Sequence, residues 1–295
     1  MSDYINYIDF NAIKLADLAF ELGDYRIAVQ NYSKALNRLR NYQGDRMEPI
    51  MMASELVQKI EKINGFFDSG KPILRFDNWT LTKSSFVKGK QCLKFLFLDK
   101  HKKQEKTPVS VEKRKLFEKG HSFEDLVRET DFPNGKNIKE AVGNFAYFNS
   151  YTKYLLSLKQ NQTLYEATII ENDVLVMCDV LIKNENEFID IYEIKLNTKL
   201  NDAIRHDLSV QYFICKIRFG DKLNSFNVIL RTDEAGENWS IINLKSELEE
   251  LQVEVENNIN RFKTTLQEGE PNIPMGDQCF QPYECEFIEY CKNKN

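Results

Sequence analysis

Two periodicities divide the chain. Small and apolar residues recur at helical spacing through 12–20, and Ile27, Ala28, Tyr32, Ala35 and Leu36 share one face of 25–39 after a Gly23-Asp24 turn. Residues 51–67 supply a third helix, so a small all-helical unit is predicted over 1–68. Residues 69–78, with Gly70 and Pro72, read as a linker. From residue 79 helices continue. Thr82, Lys83, Ser84 and Ser85 offer a cap before Phe86, Cys92, Phe95, Leu96 and Phe97, and helical spacing returns over 113–129 and 138–158. The period then changes to two. Short runs rich in branched residues over 164–170, 174–182 and 188–196, parted by polar turns, predict an antiparallel meander. A helix over 203–218, strands over 226–230 and 239–244 and an amphipathic helix over 248–266 complete a unit spanning 79–295. The fold class predicted is α/β, a mixed central sheet flanked by helices, preceded by the all-helical unit.

Composition narrows the setting. With 42% hydrophobic and 29% charged residues the chain is of soluble globular type. It has neither an apolar run of about 18 residues nor a basic leader, so no membrane association and a cytoplasmic location are expected. A net charge of -5 disfavours a protein that coats nucleic acid through its overall field. The charge is uneven, however: residues 83–119 carry twelve Lys or Arg against four acids. Lys83, Lys88, Lys90 and Lys94, followed by Lys100, Lys102, Lys103 and Lys106, would form a cationic track suited to phosphates.

The string GDYRIAVQNYSKAL resembles the second half of a tetratricopeptide repeat, with Gly23, Tyr25, Ala28, Tyr32, Ala35 and Leu36 at its packing positions. One copy is visible, whereas solenoids need about three to bury a continuous core. The unit is therefore expected either to cover structure or to receive a protein partner.

The densest polar constellation lies on the meander. Asp179 follows a run of apolar residues, and alternation puts Glu193 and Lys195 on one face of a strand with Ile194 on the other. Neighbouring carboxylates repel unless a cation sits between them, and hard divalent ions prefer such oxygen ligands. A metal-bound water beside a lysine is equipped to attack a phosphodiester. The alternative from the same residues is a capped turn at Asp179 and a solvated Glu193–Lys195 pair.

Glu166, Asp179, Glu193-Ile194-Lys195 and Gln211-Tyr212 resemble the ordered motifs of the PD-(D/E)xK nucleases, and within them the RecB-like branch that includes CRISPR-associated RecB-like exonucleases. The resemblance implies a restriction-endonuclease-like core. It also implies catalytic roles for Asp179, Glu193, Lys195 and Gln211, and Mg²⁺ or Mn²⁺ held by Asp179, Glu193 and His121, the last within Gly120-His121-Ser122-Phe123-Glu124. The chain departs from the helix motif in having Tyr212 next to Gln211, with Cys215 at the fourth position after the glutamine.

Cys279, Cys285 and Cys291 form a C-x5-C-x5-C run, and Cys92 is the candidate fourth thiol. A zinc site would also accept four cysteines, although its gaps are usually tighter. The layout resembles the iron-sulfur nucleases of the same branch, which implies a [4Fe-4S] cluster stapling the first helix of the unit to its tail. Cys178 and Cys215, inside apolar runs, are expected to be buried small hydrophobes. The function implied is a metal-dependent nuclease, a single-stranded DNA exonuclease, alone or within a spacer-processing complex. The alternative is a non-catalytic iron-sulfur protein that binds nucleic acid or acts as a scaffold. No G-x-x-x-x-G-K-[ST] string for ATP is present.

Overall fold

The computed structural model describes residues 3–21, 24–68, 74, 77–108, 111–233 and 238–294, so Gly23, Gly70, Pro72 and most of the expected linker lie outside the described residues. The chain divides into two compact units, Met1–Asp77 and Asn78–Asn295.

In the first unit a short 3₁₀ turn precedes helices α1 (Phe10–Glu21), α2 (Tyr25–Leu39) and α3 (Met47–Asp68). Asp24 accepts from the amide of Ile27 and caps α2. Ala12, Ala16 and Ala19 of α1 meet Ala28, Tyr32 and Ala35 of α2, and Leu56 and Ile63 close the core from α3. Asp17 ties all three helices, accepting from the Tyr32 hydroxyl at 2.5 Å and from Lys59 at 2.6 Å.

The second unit is a mixed α/β fold. Its elements are β1 (Leu81–Thr82), α4 (Lys83–Gln91), α5 (Leu93–His101), α6 (Val111–Asp131), β2 (Lys136–Asn137), α7 (Ile138–Val142), α8 (Phe148–Ser157), β3 (Gln162–Glu171), β4 (Val174–Lys183) and β5 (Ile189–Lys195). There follow α9 (Asp202–Phe219), β6 (Leu223–Arg231), β7 (Trp239–Asn243), α10 (Lys245–Glu249), α11 (Gln252–Gln267) and α12 (Ile288–Lys292). Strands run in the order β2-β3-β4-β5-β6-β7, with β1 pairing β4. The expected meander is β3-β4-β5, antiparallel throughout, and β6 lies parallel to β5 after the α9 crossover.

Three expected helices are divided. Cys92, in extended conformation at φ -163°, separates α4 from α5. Gly143, left-handed at φ 74°, ends α7 before α8 begins. The third expected helix splits into α10 and α11. The two-residue strands β1 and β2 are too short to leave a periodic trace in the sequence.

The sheet is irregular at the middle of β3 and β4. On β3, Leu164 and Ala167 face the main core, although three residues apart they should face opposite ways; on β4, Cys178 and Leu181 do the same. Tyr165 and Val180 face the smaller cluster on the other side. Both strands therefore slip phase together, at Glu166 (φ 56°) and Asp179. Because the slips match, register survives: Tyr165 pairs with Val180 and Ala167 with Cys178, while Glu166 and Asp179 are passed over. Two acids are thus placed where the sheet changes face.

Candidate functional site

Alternation along β5 turns Glu193 and Lys195 toward the face covered by α9 and α4. There Asp207 and Gln211, four residues apart on α9, and Lys83, at the first turn of α4, complete a polar cluster. Glu193 is only 1% exposed. Its Oε1 accepts from Lys83 at 2.5 Å and from Lys195 at 2.7 Å, and its Oε2 accepts from Gln211 Nε2 at 2.9 Å. Lys83 also donates to Gln211 Oε1 at 2.8 Å, while Lys195 lies 2.7 Å and Lys83 3.6 Å from Asp207. Two ammonium groups thus face two carboxylates, and the cluster is neutral within itself. Burial alone would raise the Glu193 carboxyl, but Lys195 and Lys83 hold it down at about 2. Burial likewise opposes charge on both lysines, and Asp207 and Glu193 overcome it, keeping them charged.

Asp179 is used differently. Its Oδ2 accepts from the amide of Ile194 at 2.7 Å, replacing a ladder partner where the β4–β5 pairing has ended at Val180 and Tyr192. Burial, then repulsion from Glu193 and Glu124, pushes its carboxyl well above the usual aspartate range. On the opposite face of the sheet, Arg128 of α6 donates through Nη2 to the Asp179 carbonyl at 2.8 Å and to Glu166 at 3.1 Å, and pairs with Glu124. His121 stands away from this arrangement, its side chain 75% exposed and its Nδ1 3.9 Å from Glu124.

The expected Mg²⁺ or Mn²⁺ centre of Asp179, Glu193 and His121 is corrected by this geometry. Among the described residues no group of three or more His, Cys, Asp or Glu side chains is placed to hold a metal ion. Lysines, not a divalent cation, neutralise Glu193, Asp179 is occupied with a backbone amide, and His121 points outward. The reading as a divalent-metal-dependent nuclease, exonuclease or other hydrolase falls with that site.

The four cysteines are brought together. Cys92, Cys279, Cys285 and Cys291 line one cavity of about 20 Å³, room for about one water molecule. All are free thiols, and burial pushes Cys285 up to about 11, so it packs as a protonated, small apolar group with Phe95, Phe97, Leu98 and Phe287. Among the described residues no metal-holding group is found there either, so the expected [4Fe-4S] cluster, and zinc with it, is corrected. Cys178 and Cys215 are fully buried, their sulfurs 3.8 Å apart.

Most lysines of the expected cationic track are held by carboxylates, Lys102 by Glu270 and Lys106 by Asp99 and Glu286 among them, while Lys100 donates to the Thr80 carbonyl. Lys83 lies in the cluster, Lys88 donates to Asp99 at 2.8 Å, Lys90 pairs with Glu254, and Lys94 lies 3.6 Å from Glu270. Asp207, Glu124 and Arg128 received no structural role from the sequence. Their signal was the spacing of four between Asp207 and Gln211 and between Glu124 and Arg128, which puts each polar pair on one helix face. No family model matches the chain, and a search of curated proteins finds no match. With no matching family and no metal-holding group, the resemblance to PD-(D/E)xK and RecB-like iron-sulfur nucleases is not upheld.

Proposed function

We propose that the protein is a non-catalytic scaffold in which the helical unit receives a protein partner and the α/β unit serves as a stable frame. The observation that carries this reading is where large apolar side chains meet solvent. Of eighteen such exposed residues among those described, eight lie in the first unit, about a quarter of the chain, including Phe10, Leu15 and Leu18 on α1 and Met47 and Met51 on α3. A lone helical repeat cannot bury both of its faces, and an apolar surface of this kind is the ordinary substrate of protein docking. The self-neutralised cluster around Glu193 supports the frame role, because each of its oxygens is already engaged. The finer fold expectation, a restriction-endonuclease-like arrangement, is supported by the meander passing through α9 to a parallel strand, and is proposed for the fold alone. A cytoplasmic location is supported by six free thiols. No helix among the described residues is long and apolar enough to cross a membrane.

The test is cross-linking of the intact protein in its own cells, comparing wild type with Leu15→Glu/Leu18→Glu. A partner lost from the variant, with an unchanged circular dichroism melt, is expected. Identical partners in both, binding of single-stranded DNA that survives physiological salt, or strand degradation abolished by Asp179→Ala would replace this reading.

A further inference from the structure

The two ends of the central sheet are built differently. At one end β2 is two residues long and carries Lys136, a short, charged edge that resists pairing with another strand. At the other end β7 reads WSIIN, with neither a charge nor a proline. Ile241 is 49% and Ile242 37% exposed, one on each face of the strand. The direction of the backbone groups along β7 follows from its ends. Leu244 donates its amide to the Phe226 carbonyl at 2.9 Å, and Thr232 donates to the Asn238 carbonyl at 2.8 Å. Antiparallel bonding alternates, so Ser240 and Ile242 also turn their backbone groups to β6, opposite Leu230 and Val228. Trp239, Ile241 and Asn243 therefore turn theirs outward, and among the described residues nothing bonds to those amides and carbonyls.

An open edge of this kind is completed by another strand, and the pattern it presents selects which one. Here the pattern is complementary to itself. On a two-fold axis at Ile241, an antiparallel copy sets Ile241 against the same residue and Trp239 against Asn243. Each outward N–H, partially positive, then meets a partially negative carbonyl, about six bonds in all. The two Ile241 side chains meet across the axis on one face, and Ser240 faces Ile242 on the other. With no charged residue on the strand, no like charges are brought together. We infer that the chain pairs with a second copy of itself through β7, continuing the sheet across a two-fold axis. A contact of one short strand is small, so the pair forms reversibly, with a dissociation constant on the order of 10–100 μM.

Sedimentation equilibrium of the full chain over about 1–500 μM tests this. A monomer–dimer equilibrium is expected. Ile241→Lys sets two ammonium groups face to face, and Ile241→Pro removes an outward amide while leaving the bonds to β6 in place. Each is expected to weaken the dimer at least tenfold while the dilute chain keeps its folded circular dichroism spectrum. Mixing Ile241→Lys with Ile241→Glu is expected to restore the dimer, because the residues opposed at the axis then carry opposite charges. A wild-type chain that stays monomeric over the whole range, a dimer that survives both Ile241→Lys and Ile241→Pro, a mixture that remains monomeric, or a dimer lost only with Leu15→Glu/Leu18→Glu would overturn the inference.

Discussion

Glu193→Gln keeps the shape of a buried side chain and removes one of the two negative charges that balance Lys83 and Lys195. A carboxyl held at about 2 rather than its ordinary 4.5 contributes about 3 kcal/mol at neutral pH. Breaking a buried pair by deleting one partner independently suggests about 3–5 kcal/mol. Two features moderate the loss: Asp207 stays 2.7 Å from Lys195, and the two lysine side chains keep 19% and 23% of their exposure to water. The expected cost is therefore about 2–3 kcal/mol, a fall in Tm of roughly 4–12 °C for a unit of this size. Adding Lys83→Met should cost less than the two single changes summed, by about 1 kcal/mol or more, because the second change removes the ammonium group that the first leaves short of counter-charge.

The pH dependence has a defined sign. Because the folded carboxyl sits below its unfolded value, its contribution is fully present above about 4.5 and is lost as pH falls toward about 2. Wild type and Glu193→Gln should thus differ most near neutrality and converge in acid, as followed by denaturant titration at a series of pH values. A variant as stable as wild type at neutral pH, or a gap that widens on acidification, would refute the closed ion network.

Other expectations follow from single contacts. Asp179→Asn retains an acceptor for the Ile194 amide, so its stability at neutral pH should equal or exceed wild type. Since the Asp179 carboxyl is raised on folding, wild type loses stability as pH climbs from about 3.8 through the raised value, and the variant should lack that decline. Gly89→Ala places a methyl 2.8 Å from the Phe262 ring, and overpacking of about 1–3 kcal/mol should outweigh the gain in helix propensity; a melt at or above that of wild type would refute it. Cys285→Ala should cost about 1 kcal/mol through lost packing, with no change in the visible spectrum of anaerobically purified protein. Brown protein whose iron disappears in that variant would contradict the thiol packing proposed for the tail.

The sequence showed the architecture well and the chemistry poorly. Period-two runs located the meander because each strand is long enough for alternation to register, and α9 and β6 followed from their own patterns. The matched slip at Glu166 and Asp179 was invisible, because alternation on either side of it looks regular within a few residues. That slip decides which acids meet. Glu193, Lys195 and Gln211 were picked out and do meet, yet the group that completes them is Lys83, far upstream and read as a surface cation. Its partner is set by where α4 begins beside the sheet, and no local pattern contains that information. His121 shows the converse: a plausible ligand by residue type, it lies on the outer side of α6.

The wider physical point concerns what a pair of carboxylates on one sheet implies. Their mutual repulsion requires compensation, but it does not specify the compensating charge. A divalent ion is one solution. Two ammonium groups are another, and they need no cofactor. Here the second solution is built from Lys83 and Lys195 at 2.5 and 2.7 Å from one Glu193 oxygen, with the other oxygen taken by Gln211. Asp179 remains outside that balance, and burial favours its neutral form. An acid, an E-x-K pair and a glutamine on a core helix therefore define a place where charge must be balanced, and only the position of the distant lysine determines whether that place is a centre for chemistry or a structural lock.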